Sequence, residues 1–169
     1  MTIIRHYRSP LGTLAIISDG ERLLRLEFSD MKSHTTEINN TDTANPPAIN
    51  ATRRWLDIYF GGDIPPFMPP IHLEGSTFML NVWKLLTRIP YGTTTTYGNI
   101  AHAISADNEG KPMSAQAVGN AARLNPVAII IPCHRVVAVD GSLHGYRHGI
   151  DRKRWLLNFE MNNYGKKNL

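Results

Sequence analysis

The stretch Ile64-Pro65-Pro66-Phe67-Met68-Pro69-Pro70 puts four prolines into seven residues. Four fixed φ angles and four missing N–H donors exclude a helix or an interior strand there. The segment reads as a semi-rigid linker at a lobe boundary. Before it, Ile3 to Tyr7, Thr13 to Ile17 and Leu23 to Phe28 are apolar or β-branched runs, separated by Ser9-Pro10-Leu11-Gly12 and Ser18-Asp19-Gly20. This pattern predicts three antiparallel strands in a meander. Met31 to Pro47 reads as a polar loop. Ala48 to Phe60 reads as a helix that buries Ile49, Trp55, Leu56 and Tyr59 and ends at Gly61-Gly62.

Beyond the prolines the period becomes helical. Phe78, Val82, Leu85, Leu86 and Ile89 share one face behind a Ser76 cap, and Pro90-Tyr91-Gly92 stops that helix. Thr96 caps a second helix, Tyr97 to Ile104, and Ser114 a third, Ala115 to Leu124. The third is thin, with Ala115, Ala117, Gly119, Ala121 and Ala122, so its axis can approach another surface closely, either DNA or another helix. Val127 to Ile131 and Arg135 to Val139 read as short strands, and Asp140-Gly141 as a turn. Asp151 caps a last helix through Glu160, with Arg152-Lys153-Arg154 as a solvated face and Lys166-Lys167 as a frayed tail. The predicted class is α+β. A small α/β lobe, residues 1–73, carries the three-stranded antiparallel sheet and the proline linker. A mainly helical domain, residues 74–169, contains a helix-turn-helix.

Charge follows the same division. Residues 1–73 hold seven Lys/Arg against eight Asp/Glu, a net of −1, whereas residues 74–169 hold eleven against six, a net of +5. An excess of this kind suits a polyanionic partner, though many domains carry one without it. No apolar run is long enough to span a membrane. The N-terminus lacks the features of a secretory signal. With one cysteine in 169 residues, these features point to a reducing, cytoplasmic setting.

That cysteine, Cys133, can form no intramolecular disulfide and no multi-cysteine metal site. It lies in Pro132-Cys133-His134-Arg135-Val136, after the β-branched run Ile129-Ile130-Ile131. The order suggests a thiol at the end of a buried strand with a base beside it. A lone buried thiol is more often inert packing, so the neighbouring residues must carry the functional reading.

Taken together, Ile89-Pro90-Tyr91-Gly92, Thr96-Tyr97-Gly98, Ala117-Val118-Gly119, Asn125-Pro126, Ile131 to Val137, Gly141, Gly145-Tyr146 and Leu156 to Glu160 resemble the methylated-DNA–protein-cysteine methyltransferases, or 6-O-alkylguanine-DNA alkyltransferases. The resemblance covers Phe78 to Glu160 and extends more weakly to the early strands. It implies irreversible transfer of an alkyl group from the 6-oxygen of guanine in double-stranded DNA to the protein's own cysteine, once per molecule. Cys133 is then the acceptor, His134 its base, Glu160 the support of the imidazole, and Tyr97 the donor to the departing guanine. The thin helix enters the minor groove through Ala115, Gln116 and Arg123, and the target base rotates out of the stack. Asn125 is a hinge, and Val136, Tyr146 and Arg147 line the pocket for the base.

The resemblance implies no cofactor, and a monomer. It also exposes departures. Gln116 stands where many relatives insert an arginine, and Arg147-His148 where many have small residues. The loop Ser105 to Met113 looks longer than in compact members. The zinc-binding cysteines of some relatives are missing, so no structural zinc is expected. Two other classes compete: a lesion-binding module without transfer, against which Cys133 itself argues, and a cysteine hydrolase, for which only the Cys-His pair speaks.

Overall fold

The structure, a computed structural model, describes residues 1–30 and 44–168. Most of the expected loop Met31 to Pro47 lies outside the described residues. The chain forms two compact units, one of residues 1–73 with Pro126–Ala128, the other of residues 74–125 and 129–169.

In the first unit, β1 (Ile3–Ser9), β2 (Gly12–Ser18) and β3 (Leu23–Phe28) form an antiparallel sheet in the order β1-β2-β3. Ile4 pairs with Ile17 and Ile16 with Leu26. Leu14, Ile16, Leu23, Leu26 and Phe28 are buried. Helix α1 (Pro47–Phe60) lies on the sheet and buries Ala48, Ile49, Trp55, Leu56 and Tyr59. The start of α1 needs no capping side chain, because proline at the first helical turn removes an N–H that the helix could not use. The proline segment is tied to the sheet at its end. The Leu23 N–H donates to Pro70 O at 2.7 Å, and the His72 N–H to Leu23 O at 2.9 Å. Val127 bridges Leu26 in parallel, with Leu26 N–H to Pro126 O at 3.0 Å and Ala128 N–H to Leu26 O at 2.9 Å.

The second unit contains α2 (Thr77–Leu86), α3 (Tyr97–Asp107), α4 (Ala115–Arg123) and α5 (Ile150–Lys167). Ser76, Thr96 and Ser114 each accept an N–H of the first turn on their side-chain oxygens, as their positions predict. Helices α3 and α4 are the helix-turn-helix pair. The loop between them is folded back by Ser105, whose hydroxyl donates to Lys111 O at 2.7 Å. Helix α4 buries Val118, Ala121 and Ala122 among α2 and α3, and the Trp83 indole N–H donates to Ala121 O at 2.9 Å. The small residues of α4 therefore serve packing on one face. On the other, Ala115, Gln116, Asn120 and Arg123 are exposed.

Three local expectations are corrected. Val127 to Ile131 is a buried turn, not a strand. Ile129 has φ 69°, a left-handed conformation in which a β-branched residue cannot continue a strand. Only Val136–Val137 of the next run is strand, β5, paired in parallel with β4 (Thr95–Thr96). Helix α5 starts behind Gly149 and continues to Lys167. Asp151 therefore sits in its first turn, where a carboxylate still favours the helix dipole, and Lys166-Lys167 is helical.

Candidate active site

Cys133 opens a short 3₁₀ turn, Cys133–Arg135, between the buried turn and β5. That turn makes three consecutive side chains available at one place, and α5 returns to meet it. Glu160 is the meeting point. His134 Nε2 lies 2.7 Å from Glu160 Oε1. Arg135 reaches the same carboxylate through Nε to Oε2 at 2.8 Å and through Nη2 to Oε1 at 2.9 Å, a bidentate pair. Arg135 Nη1 also donates to Ile89 O at 2.7 Å, and its guanidinium lies over the Tyr91 ring. Burial pushes the Glu160 carboxyl up. The His134 and Arg135 partners pull it further the other way, so it stays well below the usual carboxylate range. Burial lowers the His134 pKa and outweighs the attraction of Glu160, so the ring is neutral. An ionised carboxylate only accepts, which puts the imidazole proton on Nε2. Nδ1 is then the basic nitrogen, and no protein group among the described residues bonds it.

Asn125, just past α4, is buried. Its Nδ2 donates to Ile131 O at 2.8 Å and to Cys133 Sγ at 3.3 Å. One side chain thus holds both the turn and the sulfur. Cys133 is 9% exposed, so only a group inserted into the site reaches it. Burial raises the thiol pKa, while the Asn125 hydrogen bond and the Lys153 charge work in the opposite direction.

Lys153, expected on a solvated face, instead belongs to the buried set around Cys133. It is 1% exposed and not on a solvated face. Its Nζ donates to Val136 O at 2.5 Å, His144 O at 3.1 Å and Tyr97 OH at 3.4 Å. Burial lowers its pKa to about 8, with the Cys133 sulfur acting against that shift. The signal was available in the helical spacing: the buried residues of α5 are Lys153, Leu156 and Glu160, one face at i, i+3 and i+7.

Tyr97 begins α3, and its hydroxyl donates to His144 O at 3.1 Å. Burial, then the nearby Cys133 sulfur, raises its pKa, so it remains a proton donor. Gly119 of α4 faces the Tyr97 ring, and a Cβ there would stand 3.6 Å from it. Tyr146 is buried with its ring edge-on to His148, centroids 5.4 Å apart, and no protein group among the described residues bonds its hydroxyl. Arg147 between them is half-buried. Val136 is buried, and its carbonyl is the one that Lys153 holds. Ala115, Gln116 and Arg123 stand on the exposed face of α4, with Arg123 close enough to influence Tyr97. One cavity, about 380 Å³, is bordered by Phe78, Leu85, Arg88 and Ile104 and includes none of these residues.

A buried cysteine flanked by a neutral histidine on a carboxylate, in a basic helix-turn-helix unit, defines a nucleophilic protein built to meet a polyanion. Two family models divide the chain between them. Residues 3–73 match the ribonuclease-like domain of 6-O-methylguanine DNA methyltransferase, and residues 77–162 match its DNA binding domain. The methylated-DNA–protein-cysteine methyltransferase of Mycobacterium tuberculosis is 43% identical over 159 residues, 92% of each chain. That of Methanosarcina acetivorans is 38% identical over 154 residues, 91% of this chain and 95% of the relative. A crystal structure of Mycobacterium tuberculosis OGT in complex with DNA superposes with a TM-score of 0.78 at 40% identity, over 95% of this chain and 93% of that one. The chain belongs to the 6-O-methylguanine DNA methyltransferase family.

Proposed function

We propose that this protein repairs DNA by moving the alkyl group of 6-O-alkylguanine irreversibly onto its own Cys133, as a methylated-DNA–protein-cysteine methyltransferase that acts once. The observation that carries this reading is the buried set Cys133, His134, Glu160 and Lys153, which supplies a thiol, a base with its free nitrogen defined, and a cation near the sulfur. His134 Nδ1 takes the thiol proton, directly or through a water. The sulfur electron pair forms the new S–C bond as the C–O bond breaks, and that bonding pair leaves with the guanine oxygen. Tyr97 donates to the charge that develops on the departing base, and Lys153 stands ready to share that donation. The thioether has no leaving group that the site can activate, so the protein is consumed.

The exposed face of α4, Ala115, Gln116 and Arg123, is the DNA-contacting surface, and small side chains suit a minor groove. Tyr146, the Val136 backbone and the Arg147 backbone border the place of the rotated base. Residues 74–169 form the alkyl-accepting domain, with residues 1–73 as its companion lobe. The protein acts as a monomer, without a cofactor, in the cytoplasm; no described helix is long and apolar enough to cross a membrane. A binding module without transfer is disfavoured by Cys133, which is a free thiol.

Intact-mass spectrometry after incubation with duplex DNA carrying 6-O-methylguanine tests this reading. One added methyl per protein, mapped to Cys133, is the expected result, with loss of transfer but retained DNA binding in Cys133→Ala. Turnover well beyond one equivalent, or an unmodified Cys133 with damaged duplex in excess, refutes it.

A further inference from the structure

We propose that Ser142 and His144 are positioning residues for Tyr97: they lock the loop whose carbonyl anchors both the Tyr97 hydroxyl and the Lys153 ammonium. This inference rests on the reading of Tyr97 as donor to the departing guanine. The loop after β5 carries a small polar cluster. Ser142 Oγ lies 2.5 Å from Asp140 Oδ1 and 2.6 Å from His144 Nε2. Asp140 is ionised at neutral pH, helped below its ordinary value by the bonds from Ser142. A carboxylate only accepts, so the Ser142 hydroxyl proton must point at Asp140. His144 Nε2 must then bring its own proton to Ser142 Oγ. The chain runs in one direction, from imidazole N–H to hydroxyl to carboxylate.

The same turn is closed by the backbone. Ser142 N–H donates to Asp140 Oδ1 at 2.9 Å, Ala138 N–H to Ser142 O at 3.1 Å, and Gly141 N–H to Ala138 O at 2.9 Å. The His144 ring is thereby fastened to a closed turn. Its carbonyl faces inward and accepts from Tyr97 OH and from Lys153 Nζ, each at 3.1 Å. Gly145 follows with a left-handed φ of 64°, which glycine adopts without strain, and the chain passes close to the Tyr97 oxygen, 3.9 Å from where a Cβ would stand. The His144 carbonyl is the link between an exposed cluster and a buried donor pair. With the carbonyl held, the Tyr97 hydroxyl need only turn from one acceptor to another when a base enters, and Lys153 keeps its place behind it. Cutting the cluster frees the carbonyl and blurs the aim of the donor, an effect on the chemical step and not on DNA affinity.

Single-turnover transfer rates and DNA affinities of Ser142→Ala, Tyr97→Phe and the double variant test the inference. Ser142→Ala is expected to slow transfer about fivefold, the worth of one modest hydrogen bond. Its affinity for unmodified DNA should stay within about twofold, the limit of what uncoupled sites show. Ser142→Thr should restore the rate, and Ser142→Ala should cost nothing further in the Tyr97→Phe background. A full rate in Ser142→Ala beside a slow Tyr97→Phe overturns the inference and leaves the role of Tyr97 standing. An additive loss in the double variant overturns it too, because the cluster would then act through something other than Tyr97, the Lys153 ammonium included. A full rate in Tyr97→Phe removes the donor reading itself, and this inference with it.

Discussion

His134 Nε2 stands 2.7 Å from Glu160 Oε1 with both side chains buried, and this single contact decides which nitrogen of the ring can act as a base. Glu160 is at the same time the counter-ion of Arg135, so the unit is a neutral histidine leaning on an already paired carboxylate. Such a unit can accept one proton from the thiol without creating an isolated buried charge, because the imidazolium that forms is next to an anion.

Glu160→Gln keeps the shape but strips Arg135 of its counter-charge. Removing one partner of a buried pair costs about 3–5 kcal/mol, and the urea midpoint should fall accordingly. The acid limb carries a further signature. Glu160 has a depressed folded-state pKa, so its contribution is complete above the unfolded carboxylate value of about 4.3 and is lost as the pH falls toward the folded value. His134, held neutral by burial, adds a loss of the same sign that begins below about pH 6.5. Urea unfolding between these values and in stronger acid should show a steep limb in the wild type and a shallower one below about pH 4.3 in Glu160→Gln.

Lys153→Met retains most of the buried stem and removes the charge beside the sulfur. The thiol pKa should rise, because one of the three influences holding it down is gone. Thiolate absorbance and iodoacetamide labelling against pH should both shift to higher pH. Transfer at neutral pH should fall by about tenfold or more, the cost of losing one charge-assisted donor of about 1.5 kcal/mol.

Gly92→Ala should destabilise the protein by about 2–3 kcal/mol, from overpacking and a conformation unsuited to an L-residue. Gly92 has φ 74°, and an added Cβ would lie 2.7 Å from Tyr164 Cβ on α5. The Gly92 N–H also points at Glu160 Oε2, 3.5 Å away, so a shift of α5 disturbs the carboxylate that supports His134. Thermal melts should show the loss, and transfer should weaken in parallel.

Much of this molecule was legible in the chain. Apolar and β-branched runs in Thr13 to Ile17 and Leu23 to Phe28, with turn residues between, mark two strands, and β2 and β3 form there. Cys133 and His134 were legible because they are neighbours in sequence. Ser76, Thr96 and Ser114 were legible because a cap works through the next three residues. Ile129 to Ile131 was not: a short buried apolar run is equally compatible with a strand or a packed turn, and Asn125 bonding to Ile131 O decides it from a distance. Lys153 was hidden by its company. Among Asp151, Arg152 and Arg154 it looks solvated, and only its phase with Leu156 and Glu160 gives away the inward face.

Gln116 and Arg123 predict how binding responds to salt. Both are exposed on α4, and only Arg123 carries charge. Gln116→Arg should tighten binding to duplex DNA and steepen the slope of log affinity against log salt by about 0.9, the release of roughly one more counterion. Arg123→Gln should weaken binding and flatten the slope by a similar amount. Fluorescence anisotropy titrations over a range of salt concentrations check both, and an unchanged slope in either variant removes that residue from the interface.

His148 predicts the size of alkyl group that the protein accepts. The ring is buried and meets Tyr146 edge-on at 5.4 Å, so it fills space next to a residue assigned to the base pocket. A methyl group needs little of that space, whereas a benzyl group needs a whole ring's width. His148→Gly should therefore raise benzyl transfer relative to methyl transfer by about tenfold or more, since one ring's worth of relieved overpacking is about 1–3 kcal/mol. Methyl transfer should change little, because the thiol, His134 and Glu160 hold their bonds without His148. Competition between 6-O-methylguanine and 6-O-benzylguanine in otherwise identical duplexes gives the ratio directly. A ratio equal to the wild-type value would place His148 outside the path of the alkyl group and leave it a packing residue behind Tyr146.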